Sequence, residues 1–169
     1  MDADQLRALQ APLKQRYKDD PSAARVVMQA TGTLEASQLT CRVATSLGQV
    51  TAGLHPAAGG PPGQACSGDM LLQALVACSG VTLAAVATAM GIEIRSASVA
   101  ATAEMDFRGT LGIDKAVPVG ITSLQLDFVL DSPSQDAQLS KLVELTERYC
   151  VVLQTLAQPA QWRTSWARA

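Results

Sequence analysis

Over much of the chain polar and apolar residues alternate at short intervals, but from Met70 to Ile92 the polar phase drops out and no charged side chain occurs. A run of about 23 uncharged residues is long enough in principle to cross a bilayer. The flanks argue against that: no Lys or Arg precedes the run more closely than Arg42, Gln73, Ser79 and Thr82 interrupt it, and no second such run exists. The other reading is a helix that is apolar on all sides because the rest of the fold surrounds it. Its ends carry chemical markers. Ser67 is placed to N-cap, Asp69 falls in the first turn beside the positive end of the helix dipole, and Gly91 is a C-terminal stop. Small residues such as Ala74, Ala77, Gly80, Ala84 and Ala85 let another helix or a sheet come close, an equivalent helix of a second subunit being one candidate.

Elsewhere the pattern predicts shorter elements. Leu6, Leu9, Leu13 and Tyr17 at helical spacing predict an amphipathic helix over residues 4–17, interrupted by Pro12 and ended by Asp19, Asp20 and Pro21. Residues 23–34 alternate, with Val26, Met28 and Ala30 on one face, and predict a strand. After a turn at 35–38, Leu39, Cys41 and Val43 share one face of a second strand. Residues 48–63, rich in Gly and Pro, read as a short strand or loop that delivers the chain to the central helix. Beyond Gly91 the period becomes two: Val99, Ala101, Ala103, Met105 and Phe107 line one face of a long strand, and Leu124, Leu126, Phe128 and Leu130 line another. A final helix, with Ser134 as its candidate cap, carries Leu139, Leu142, Val143, Thr146, Cys150 and Leu153 on one stripe. The predicted fold class is α+β, with mostly antiparallel sheet faces covering helices. A helix apolar all round needs more cover than one small sheet provides, which predicts a dimer.

Composition narrows the function. The 169 residues predict one domain over 1–169, with a helical extension at 1–20 and a tail at 160–169. A net charge of −2 gives no electrostatic footprint for nucleic acid or an anionic membrane. The charged N-terminus lacks the apolar segment of a signal peptide, so a cytoplasmic location is expected. The four cysteines, Cys41, Cys66, Cys78 and Cys150, are then free or redox-active thiols rather than structural disulfides. No C-x-x-C is present, and His55, the single His, makes the usual zinc constellations unwritable. His55 is either a thiol's partner or a loop residue beside Pro56. Cys41 reads as a small core residue, Cys66 as a loop thiol remote from Cys78.

The runs SGDMLLQALVACSGVTL, GIEIRSASV, DFRGTLGIDKAVPVG and LVELTERYCVVLQTL resemble the OsmC/Ohr family of osmotically inducible and organic-hydroperoxide-resistance proteins, most closely its broad OsmC-like branch. The resemblance spans residues 23–159. It implies an intertwined homodimer whose antiparallel sheets wrap around central helices, with Cys78 as peroxidatic and Cys150 as resolving cysteine. It further implies reduction of small hydrophobic peroxides, with no bound cofactor or metal and with an external dithiol or lipoylated protein as reductant. Two departures stand out. Gly68 occupies the place of the family's Glu, leaving Asp69 beside it as the only acid, and Val151 follows Cys150 where many relatives have Pro, which lets a helix continue past Cys150. On a regular helix Asp69 and Cys78 point to nearly opposite sides, so Asp69 reads more readily as a helix-start residue than as a partner.

A buried thiol needs a nearby positive group to ionise. Arg25, Arg42 and Arg108 are the candidate guanidiniums, and nothing in the sequence chooses among them. The competing functional reading is a non-catalytic module that holds a small hydrophobic ligand at the dimer interface, with the cysteines as mere lining.

Overall fold

The computed structural model describes residues 1–168. Its centre is α2 (Ser67–Met90), the uncharged run of the sequence. Gly91 closes it in the left-handed conformation at φ 68°, where a side chain would be strained, and the N–H of Ile92 returns to the Ala87 carbonyl at 2.9 Å. At the other end the cap is Cys66 rather than Ser67. Cys66 has extended backbone because it still belongs to β4 (Ala65–Cys66), which pairs with β3, and helical geometry follows directly at Ser67, one residue earlier than the sequence suggests.

Two sheets flank this helix. The first has the order β1-β2-β3-β4, built from β1 (Gly32–Glu35), β2 (Thr40–Thr45), β3 (Gly48–Gly53) and β4. Its first two pairings are antiparallel and β3–β4 is parallel, a departure from the all-antiparallel expectation. The second is a hairpin of β5 (Ser96–Met105) and β6 (Ile121–Asp131), joined through the short helical turn α3 (Phe107–Thr110). The predicted alternation is present: Val99, Ala101, Ala103 and Met105 are half-buried, and their neighbours on the opposite face of β5 are exposed. Gly80 of α2 faces Val99 of β5, where a Cβ on the glycine would stand 3.9 Å from the valine methyl.

The strand expected over residues 23–34 forms only at its end. Asp20 caps a 3-10 turn at Pro21–Ala24, and the chain then runs without regular structure to Gly32, with Val26, Val27 and Met28 exposed. Alternation alone makes no strand where no neighbour offers ladder partners. The front helix, α1 (Ala3–Asp19), is longer than expected, accommodates Pro12, and buries no residue.

The last helical region divides into α4 (Asp136–Tyr149) and α5 (Val151–Ala157). Gln135, not Ser134, caps α4: its backbone N–H donates to Gln138 Oε1 at 3.2 Å and its carbonyl accepts the Gln138 N–H at 2.9 Å, while the Ser134 N–H is turned toward Ser132 Oγ. Leu83, Ala87, Ile92 and Leu142 form the core, with Val86, Ile94, Phe128, Leu130 and Leu139 packed around it.

The expectation that the chain itself surrounds α2 holds on one stripe only. Leu75, Ser79, Leu83 and Ala87, four residues apart in series, are buried, whereas Val81 is 72 % exposed. By length and composition alone α2 would also span a membrane. In this chain it packs against α1, α4, α5, β4 and β5.

Candidate functional site

Cys78 and Cys150 come together where α2 meets the junction of α4 and α5. Cys78 is partly buried on α2, and Cys150 is completely buried. The junction makes this possible. At Cys150 the backbone leaves the helical region (φ −71°, ψ 105°), and a new helix begins at Val151. The expected continuous helix past Cys150 is therefore absent, even without Pro. Part of the reason is local: the side chain of Gln154 on α5 donates to the Glu147 carbonyl at 2.9 Å, satisfying a group that α4 leaves open at its end.

The restart points backbone N–H groups at Cys78. Partial burial pushes that thiol's pKa up, but four hydrogen bonds outweigh it: from the backbone of Val152, the thiol of Cys150, the backbone of Val151, and the hydroxyl of Thr82. The net result is a Cys78 pKa below that of an ordinary cysteine, which favours the nucleophilic thiolate. Cys150 also has a second partner, Ser79 Oγ at 3.3 Å.

The candidate cations lie elsewhere. Arg42 of β2 pairs with Glu35 of β1 at 2.6 Å. Arg108 forks onto the Asp106 carboxylate at 2.5 and 3.0 Å, and this lowers the pKa of Asp106 and raises that of Arg108. Arg25 closes the 3-10 turn and begins the segment that follows it, exposed. Among the described residues none of the three contributes to lowering the Cys78 pKa; within one chain, hydrogen-bond donors fill that role. Asp69 is exposed in the first turn of α2 and borders a separate cavity of about 740 Å³ with His55, Cys66, Leu72, Met105 and Phe107. His55 uses Nδ1 to accept the Ala57 N–H at 3.0 Å and stacks on Phe107 with ring centres 4.9 Å apart, the arrangement of a loop residue.

Sequence reasoning missed Thr82 and the two backbone donors. Thr82 was findable, because it stands four residues after Cys78 and so on the same helix face. The N–H groups were not, since they are freed only by a break that no Gly or Pro announces.

This α+β chain thus brings Cys78 of α2 together with Cys150 at the junction of α4 and α5, the pKa of Cys78 being lowered. The sequence profile of the OsmC-like proteins matches residues 60–165. The chain belongs to the OsmC-like protein family. Among solved structures it is similar to the OsmC-like protein from Mycoplasma pneumoniae, with a TM-score of 0.65 and 19 % identity over 79 % of this chain and 89 % of that one. It is also similar to an organic hydroperoxide resistance protein OsmC from Legionella pneumophila, with a TM-score of 0.62 and 14 % identity over 79 % and 93 %. A third, an organic hydroperoxide resistance protein from Elizabethkingia anophelis, gives a TM-score of 0.59 at 16 % identity over 80 % and 91 %. No curated protein matches the chain.

Proposed function

We propose that this protein is a cysteine-based peroxidase that reduces organic hydroperoxides to alcohols in defence against oxidative stress. The observation that carries this reading is the proximity of Cys150 to Cys78, with the lowered pKa of the latter. The Cys78 thiolate attacks the terminal peroxide oxygen, the O–O bond breaks, and the alkoxide leaves as the alcohol after taking up a proton; Cys78 is then a sulfenic acid. Cys150 attacks that sulfur, water leaves, and a disulfide joins the two residues. An external dithiol or lipoylated protein exchanges with the disulfide and restores both thiols. An apolar approach along the uncharged flank of α2 favours alkyl over hydrogen peroxide. The working form is a cytoplasmic homodimer, in which the uncovered face of α2 meets its counterpart.

The test is a thiol count. Reduced protein mixed with one equivalent of cumene hydroperoxide is expected to lose two free thiols per chain, and Cys78→Ser to lose none. An unchanged count in the unaltered protein would defeat the proposal. It would favour a ligand-binding module instead, for which the cavity walled by Leu72, Met105, Phe107 and Ile121 is the supporting observation.

A further inference from the structure

Ser79 stands next to Cys78 in the chain, yet its hydroxyl serves the other sulfur. Ser79 and Cys150 are both completely buried, and Ser79 Oγ lies 3.3 Å from Cys150 Sγ. Hydroxyls inside helices commonly return to the carbonyl four residues back. Thr88 does so to Ala84 and Thr146 to Leu142, each at 2.8 Å. Ser79 does not: among the described residues its only side-chain hydrogen bond crosses to Cys150. Its own helix gains nothing from it, since Ala propagates a helix better and leaves no carbonyl unsatisfied. Burying a hydroxyl costs free energy unless a partner is met, and here the partner is the sulfur alone.

Two hydroxyls on α2 thus divide the two sulfurs between them, Thr82 attending Cys78 and Ser79 attending Cys150. Resting on the peroxidase reading above, we propose that Ser79 is the positioning residue of the resolving step, holding the Cys150 sulfur aimed at the sulfenic acid formed on Cys78. In that step the Cys150 sulfur bonds to the Cys78 sulfur, the S–O bond breaks, and the departing hydroxide takes the proton that Cys150 has given up, leaving as water. Once Cys150 has given up its proton the Ser79 O–H is the donor of this pair, so the attacking sulfur does not turn away as it ionises. The oxidant is the peroxide already consumed, and no other is needed.

The experiment separates the two steps. Reduced full-length protein is mixed with cumene hydroperoxide and stopped at intervals, sulfenic acid being trapped with dimedone and counted by intact mass, disulfide by loss of free thiols. For Ser79→Ala, sulfenic acid is expected at the unaltered rate and disulfide closure about tenfold more slowly, the scale of one hydrogen bond. Excess peroxide then converts more of Cys78 to sulfinic acid. Thr82→Val is expected to give the opposite pattern, a slowed first step with normal closure. Closure at the unaltered rate in Ser79→Ala overturns the role of Ser79, as does equal slowing of both steps, which marks a loosened core. If the unaltered protein forms neither sulfenic acid nor disulfide, the peroxidase reading itself falls and the role of Ser79 with it, a result distinct from the other two.

Discussion

The backbone N–H of Val152 is directed at the sulfur of Cys78, and of the groups that lower that thiol's pKa it has the largest effect. Hydrogen bonds here stand where a cation was expected. Their presence in the folded state alone sets the sign of the pH dependence. The folded Cys78 pKa lies below the unfolded value, so the associated stability is fully present above the unfolded pKa and is lost as pH falls through the folded one. Alkylation of Cys78 by iodoacetamide is expected to have its midpoint below that of an ordinary free cysteine. Thr82→Val, with one donor removed, is expected to move that midpoint upward and to slow alkylation at neutral pH severalfold. An unmoved midpoint would remove Thr82 from the site.

Val151→Pro separates the shape of the junction from its chemistry. Cys150 already has the extended backbone that precedes a proline, and Val151 is the first residue of α5, where Pro is tolerated. The variant is expected to keep its circular dichroism and to melt within a few degrees of the parent. It also deletes the Val151 N–H that Cys78 uses, so its alkylation midpoint is expected to rise. A collapsed fold would show that α4 and α5 are not divided in solution as described.

Leu142 is fully buried at the heart of the core beside Leu83 and Ala87. Leu142→Ala is expected to cost about 2–5 kcal/mol in urea unfolding, the range for a leucine removed from a close-packed interior. A loss below about 1 kcal/mol would contradict its placement.

Val81, on the uncovered side of α2, offers a contrast. In an isolated chain Val81→Asp changes an exposed residue and stability shifts little. If two copies meet through this face, the aspartate is expected to abolish the dimer in sedimentation analysis while leaving helical content intact. Unchanged sedimentation would place the subunit contact elsewhere.

The parts of the fold legible in the sequence are those where burial imposes a period. The β5–β6 hairpin could be read because one face of each strand is half-buried, and α2 because its apolar run ends at a glycine that adopts positive φ. Residues 26–28 alternate just as well, but they have no pairing neighbour and pattern alone could not reveal that. At Cys150 the stripe Thr146, Cys150, Leu153 continues across the break with helical spacing intact, so the periodicity conceals the feature that shapes the site. The pairing of Cys78 with Cys150 followed from family resemblance together with inward-facing stripes. The donors around Cys78 emerge only from tertiary structure.

Because the two sulfurs belong to segments about seventy residues apart, their oxidation would cross-link the central helix to the end of the chain and remove freedom from the unfolded ensemble. Loop closure on this scale is worth about 4 kcal/mol. Each turnover would therefore alternate the protein between a stapled, heat-resistant state and an unstapled, softer one, and a melting curve would report its redox history.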